Sequence, residues 1–466
     1  MNLPNMQEAK IRTNNKVEHI NLENNIPNSF EGKKYFLRTY GCQMNVHDSE
    51  QIRKYLEEFG FTMTEELTEA DIVVLNTCAI RENAHDKVFG FLGRCKHLKR
   101  EKPELIIALG GCMSQEESVT NEIKTKHSYV DIVFGTHNIH ELPKMILEAN
   151  KKLNINVYSY EGNVYENIKY SRDSKITAWV NIMYGCDKFC TYCIVPFTRG
   201  KQRSRKIENI LDEVRELKEL GYQEITLLGQ NVNAYGKDLD ELYDFSTLLE
   251  SVAKIGIPRV RFVTSHPWDF TDEMISLIAK YDNIMPYVHL PLQSGSDRIL
   301  KLMGRRYTKE EYLTLFNKIK ENVPNVAITT DIIVGFPNET EEDFLETLDV
   351  VNKCQYDSAF TFIYSPREGT PASKIIDKTP YSEKEERLQR LNEVINKYSL
   401  ENNQKYVGKT EKVLLLGESE KDSSKLYGYT ETMKLVNVIT DKDNIGKIID
   451  VNITEAKSFS LDGKAI

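Results

Sequence analysis

The chain has 466 residues, 40% hydrophobic and 28% charged, with a formal net charge of −9; this allows two to four domains of ordinary globular composition and argues against a partner held by bulk electrostatics, although local basic patches decide nucleic-acid binding. Eight cysteines are too few for a disulfide scaffold, and their grouping favours metal chemistry in a reducing compartment. With no apolar leader and no segment long enough to span a bilayer, a cytoplasmic protein without membrane contact is expected.

Residues 1–32 are polar and aperiodic and read as a mobile N-terminal arm. From 33 to 150 the expected strands are 35–39, 71–75, 105–109 and 131–134, with helices between them. This is the pattern of a doubly wound parallel α/β sheet. Cys42, Cys78 and Cys112 each fall in the loop just past a strand, and such loops gather at the carboxyl edge of a parallel sheet. A core role explains any single cysteine but not three in equivalent loops, so a three-cysteine cluster is expected there. Cys95 and Cys354, in helices, read as core residues. The basic run from Arg94 to Lys102 is either a solvated face or a binding patch.

A polar, tyrosine-rich stretch over 150–175 reads as a linker or packing strap. Six further strands are expected at 179–183, 224–228, 260–264, 287–290, 327–334 and 359–364, with helices between. Six βα units make a central partial (β/α)6 barrel over 172–402, with its site at the carboxyl ends of the strands. Directly after its first strand comes the C-x3-C-x2-C loop Cys186, Cys190, Cys193. Three thiolates this close can hold three corners of a cubane iron–sulfur cluster and leave one iron open. S-adenosylmethionine can ligate that iron, and an electron then splits its sulfonium to release a carbon radical. A zinc site completed from afar or three unrelated cysteines are the competing readings. A second basic run, Arg199 to Lys206, flanks the loop, and polar groups mark the other strand ends. Beyond a long charged helix from 382 to about 401, residues 405–466 switch to short β runs at 411–416, 426–430, 435–439 and 447–453. A small C-terminal β-barrel fits, either binding nucleic acid on its strand face or serving as a packing domain.

Tyr-Gly-Cys-Gln-Met-Asn at 40–45, Gly-Cys-Asp-Lys-Phe-Cys-Thr-Tyr-Cys-Ile-Val-Pro at 185–196 and Leu-Leu-Gly-Gln-Asn-Val-Asn at 227–233 carry a resemblance, as do Ser-His-Pro at 265–267, Leu-Pro-Leu-Gln-Ser-Gly-Ser at 290–296 and Gly-Phe-Pro-Asn-Glu-Thr at 335–340. From about residue 33 onward the chain resembles the methylthiotransferases of the radical S-adenosylmethionine superfamily. Gln-Met-Asn after Cys42 favours the MiaB type, which acts on dimethylallyl-adenosine in tRNA. Its relatives modify threonylcarbamoyl-adenosine or a ribosomal-protein aspartate.

The resemblance implies that Cys186, Cys190 and Cys193 hold a radical [4Fe–4S] cluster and that Cys42, Cys78 and Cys112 hold a second, auxiliary one. It implies a TRAM-like C-terminal barrel that contacts tRNA, a flavodoxin- or ferredoxin-type electron donor, a sulfur source left open, and a monomer. One S-adenosylmethionine gives a methyl group and another the radical, with sulfur already positioned nearby. Gln230, Asn231, Asp331 and Gly335 are the candidate cofactor contacts, and Arg199, Arg203 and Arg205 the candidate RNA-phosphate guides. Where the family usually carries glutamate after Arg-Gly-x, this chain has Gln202, which cannot pair as an anion. Two other classes compete: a radical enzyme acting on a peptide or small molecule, and a non-catalytic iron–sulfur sensor that binds RNA.

Overall fold

The computed structural model describes residues 2–5, 17–22, 28–79, 84–149, 153–159, 162–240 and 243–466. Most of the expected N-terminal arm lies outside the described residues. The chain divides into two compact units: Met1–Asp173 with Met183–Lys188 and Cys193–Asn209, and Ser174–Ile182 with Phe189–Tyr192 and Ile210–Ile466.

The first unit is built on six parallel strands, β1 (Lys34–Thr39), β2 (Thr62–Met63), β3 (Ile72–Thr77), β4 (Ile106–Gly111), β5 (Ile132–Phe134) and β6 (Asn154–Asn156), in the spatial order β2-β1-β3-β4-β5-β6. Successive side chains of a strand face opposite ways, and both faces are covered. Val73 and Leu75 pack with Val88, Leu92 and Cys95 of helix Ala84–Glu101, while Ile72 and Val74 pack with Ile52, Tyr55 and Leu56 of helix Gln43–Glu58. Cys95 is a core residue, as expected. The order is flavodoxin-like, and the switch point where such sheets take ligands falls between β1 and β3. The linker reading is corrected at two places. Asn154–Asn156 is the edge strand β6, and Val164–Glu166 pairs in parallel with His19–Asn21 of the expected arm.

The second unit contains β7 (Thr177–Asn181), β8 (Glu224–Leu228) and β9 (Arg259–Phe262) in one parallel sheet, and β10 (Tyr287–His289), β11 (Ala327–Val334) and β12 (Ser358–Ile363) in another. A lone parallel bridge, Val260 to Ile284, joins them, so six strands follow in chain order as a partial barrel. Its helices start at side-chain caps: Thr308 and Thr340 each form a reciprocal capping box.

The C-terminal region is a closed barrel of β13 (Thr410–Ser419), β14 (Asp422–Thr430), β15 (Leu435–Ile439), β16 (Ile448–Ala456) and β17 (Leu461–Ala465). The sequence reading lacked β17, because Leu-Asp-Gly-Lys-Ala carries no β pattern. Its Asp462 is fixed by Lys425 at 3.0 Å and Lys457 at 2.6 Å. The barrel docks on β9 through Arg259, whose guanidinium donates to Tyr429 O and Lys412 O, both at 2.8 Å.

Candidate active site

In the first unit the three dispersed cysteines stand at the carboxyl ends of the adjacent strands β1, β3 and β4, beside the switch point. Cys42 caps helix Gln43–Glu58, where the backbone offers partial positive charge. Cys78 follows β3 directly, and Cys112 follows β4. Gly111 before it has φ 94°, and a Cβ there would meet Asn76 Oδ1 at 2.4 Å, so the approach requires glycine.

One buried asparagine ties these loops together. Asn45 Nδ2 donates to Asn76 Oδ1 (3.2 Å) and Thr77 O (3.0 Å), and Asn76 Nδ2 donates back to Asn45 O (2.7 Å). The Asn45 Oδ1 faces both Cys42 Sγ (3.5 Å) and Cys112 Sγ (4.0 Å). Burial pushes the Cys112 thiol up to about 12; Arg199 pulls it down, and Cys42 and Cys78 add to the rise.

Arg199 is 4% exposed. Its Nη2 donates to Asp48 Oδ2 at 2.6 Å and its Nε to Cys112 Sγ at 3.2 Å. Arg203 donates to Gly162 O (2.9 Å) and Arg199 O (3.1 Å), and Arg205 to Glu166 Oε2 (3.1 Å). The phosphate-guiding role expected of these three arginines does not fit this placement. Their head groups are buried and already engaged by acceptors of the same unit, whereas phosphate guidance needs a solvated cation. Gln202 is also buried, and its backbone N–H donates to Asp187 Oδ1 at 3.0 Å. The other basic run is a helix face with partners of its own, including Lys102 with Asp71 at 2.9 Å and Arg94 over the Phe91 ring.

The C-x3-C-x2-C loop contributes to both units. In the first, Cys186 N–H donates to Gly200 O (3.1 Å) and Lys188 N–H to Cys186 Sγ (3.4 Å). In the second, Thr191 is pinned by N–H to Met303 O (2.9 Å) and Oγ1 to Leu302 O (2.7 Å). There Arg305 donates from Nη1 to Cys190 Sγ (3.4 Å), from Nη2 to Pro291 O (3.2 Å) and from Nε to Tyr307 OH (3.1 Å). Among the described residues no carboxylate pairs with this buried guanidinium. Burial opposes its charge, yet Tyr307, Tyr192 and Cys190 hold its pKa well above the usual arginine value. A buried cation without a counter-charge costs several kcal/mol, roughly, even after relaxation. A cysteine bound to a metal is a thiolate and would supply such a counter-charge. None of the eight cysteines forms a disulfide. Among the described residues no three His, Cys, Asp or Glu side chains stand close enough to hold a single ion.

At the barrel mouth, Asn231 Nδ2 donates to Asp269 Oδ2 (2.9 Å), while among the described residues its buried Oδ1 has no partner, and neither has the buried Ser265 Oγ. Gln230 beside it is half-buried. Asp331 on β11 pairs with His289 Nε2 at 3.3 Å. Gly335, at φ 65°, donates its N–H to Glu339 Oε2 (2.7 Å), which also accepts from Arg387 Nη1 (3.2 Å). The sequence reading missed Asn45, Asn76, Asp48, His289, Arg305 and Glu339. Only the motif context of Asn45 and Glu339 marked them. Among the described residues no helix is long and apolar enough to cross a membrane.

Three family models match: the radical SAM superfamily over residues 180–351, an uncharacterised protein family, UPF0004, over 34–135, and the TRAM domain over 404–466. The first implies a [4Fe–4S] cluster and S-adenosylmethionine, and the last supports a tRNA partner. Among solved structures, the radical S-adenosylmethionine methyltransferase TsrM from Kitasatospora setae superposes with a TM-score of 0.54 at 14% identity, covering 73% of this chain and 75% of that one; this likeness speaks for the fold. The tRNA-2-methylthio-N(6)-dimethylallyladenosine synthase of Staphylococcus epidermidis is 54% identical, over 99% of this chain and 91% of its own length. The synthases of Staphylococcus saprophyticus (55%) and Staphylococcus aureus (54%) match over the same shares. The chain therefore belongs to the family of tRNA-2-methylthio-N(6)-dimethylallyladenosine synthases.

Proposed function

We propose that the chain adds a methylthio group to C2 of N6-(dimethylallyl)adenosine at position 37, next to the anticodon of tRNA. The observation that carries this reading is the second cysteine set. Three cysteines stand on adjacent strand ends; Cys42 and Cys112 share the buried Asn45 amide oxygen and Arg199 donates to Cys112, and a radical enzyme needing a single cluster has no use for this set. In this reading Cys186, Cys190 and Cys193 ligate the radical cluster, and Cys42, Cys78 and Cys112 an auxiliary [4Fe–4S] cluster. When bound, these groups supply a 5′-deoxyadenosyl radical from one S-adenosylmethionine and a sulfur methylated by another.

The protein's own part is positional. Asn45 holds the loops of Cys42 and Cys112 in register with β3, and Arg199 and Arg305 each donate an N–H to a ligating sulfur, as outer partners of metal sites do. Gln230, Asn231, Asp331 and Gly335 hold the cofactor; the partnerless Asn231 Oδ1 and Ser265 Oγ leave polar capacity for it. The domains run 33–150, 172–402 and 405–466, the first extended to take in β6 (Asn154–Asn156) and the Val164–Glu166 strand that pairs with His19–Asn21 of the arm, and the small barrel contacts the tRNA. An external low-potential electron donor of flavodoxin or ferredoxin type is required. The protein acts as a monomer in the cytoplasm.

Anaerobic incubation of reconstituted protein with S-adenosylmethionine, reductant and tRNA, followed by mass spectrometry of the nucleosides, is expected to show the methylthio-dimethylallyl product. Formation of 5′-deoxyadenosine without any change to the tRNA overturns the reading.

A further inference from the structure

We infer that Phe360 and Phe362 form the surface that receives the dimethylallyl-adenine, and so determine which adenines are substrates. The inference rests on the tRNA reading above and deepens it.

Residues paired across parallel strands share a face. The register sets His289 against Thr329, Asp331 against Phe360 and Ile333 against Phe362. The other face of β12 is covered: Thr361 Oγ1 donates to Asn392 Oδ1, at 2.6 Å, on the long helix Tyr381–Gln404. Phe360 and Phe362 therefore stand on the inner face of the barrel, in the row that carries the Asp331–His289 pair. The Phe360 ring lies 6.1 Å from that of His289, edge-on. Ile333, opposite Phe362, packs against the same core as Tyr192 of the cysteine loop.

These two phenyls are 57% and 51% exposed. Single exposed apolar side chains are ordinary, but two on one strand face beside a polar site mark a place where something apolar binds. The occupant has to be flat and partly aliphatic and must approach the row that ends at the cysteine loop. An adenine splayed out of an RNA loop stacks on aromatic rings, and its dimethylallyl tail adds five carbons that gain from leaving water. An unmodified adenine makes only the first contact.

The test titrates reconstituted full-length chain, with S-adenosylmethionine, against stem–loop RNAs carrying dimethylallyl-adenosine or adenosine at the target position. Wild type is expected to prefer the prenylated RNA. Phe360→Ala with Phe362→Ala weakens binding of that RNA by about tenfold or more and brings the preference close to one. The Leu pair keeps the preference, because it retains apolar cover without stacking. Both side chains are exposed, so the unfolding midpoint stays near wild type; a Gln pair repeats the test at conserved bulk. An unchanged preference in the Ala and Gln pairs, or no preference in a wild type that forms the methylthio product, overturns the inference alone. A wild type that forms no methylthio product overturns the function beneath it.

Discussion

The carboxyl edge of the N-terminal sheet and the mouth of the central barrel solve one problem in opposite ways. At the sheet, three cysteines far apart in sequence are brought together by strand order and by the Asn45–Asn76 pair. In the C-x3-C-x2-C loop, eight consecutive residues carry all three. Each edge has a buried guanidinium on one cysteine sulfur, Arg199 on Cys112 and Arg305 on Cys190. They differ in the counter-charge: Arg199 has Asp48 at 2.6 Å, whereas Arg305 has carbonyl, hydroxyl and sulfur partners. The dispersed site therefore has its charge balanced by the polypeptide, and the compact one relies on the cysteine it touches.

The strongest way to break this comparison is to remove each cysteine set. Changing Cys42, Cys78 and Cys112 to Ala is expected to lower iron from about eight to about four atoms per chain and abolish methylthio product, while 5′-deoxyadenosine still forms. The same change at Cys186, Cys190 and Cys193 abolishes both. Iron assay and nucleoside mass spectrometry decide this, and a first triple variant that loses no iron refutes the second cluster.

Next come the two arginines. Arg199→Met strands the buried Asp48 carboxylate and is expected to cost about 3–5 kcal/mol in urea unfolding. Arg305→Met strands no carboxylate and costs less, but lowers the reduction potential of the cluster at Cys190 by about 60 mV or more, a tenfold change in a one-electron equilibrium. Equal stability losses, or an unmoved potential in an EPR-monitored titration, contradict the charge argument.

The smallest effect sharpens the barrel side. Asp343 is buried, which raises its pKa, but bonds from Arg298, Ser296 and Thr340 outweigh that and hold it below the usual carboxylate value. A depressed folded pKa contributes stability above the unfolded value, lost as pH falls through the carboxylate range. Asp343→Asn is thus expected to be less stable by about 1.5–3 kcal/mol at neutral pH, converging with wild type in acid. Parallel curves at all pH values rule this out.

Much of the architecture was legible in the sequence because period and spacing carry it. The six barrel strands, the cysteine loop and the three strand-end cysteines all follow from local pattern. Strand order did not, since nothing local to residues 34–77 says that β1 lies between β2 and β3. β2, with two residues, and β17, with a buried Asp462 neutralised by two lysines, are too short or too polar to show a period. The arginines after the cysteine loop were misplaced for a related reason. A run of positive charge looks alike whether it meets water or, as here, Asp48, Glu166 and backbone carbonyls.

Arg259 has one more consequence. With Nη1 and Nη2 of Arg259 donating to Tyr429 O and Lys412 O, the small barrel is bolted to the central barrel rather than hung on a tether. If the proposed tRNA contact of the small barrel holds, an RNA held by one meets the other at a set offset, as work held in a vice meets a fixed blade, and the length of the RNA arm then decides which nucleotide is presented.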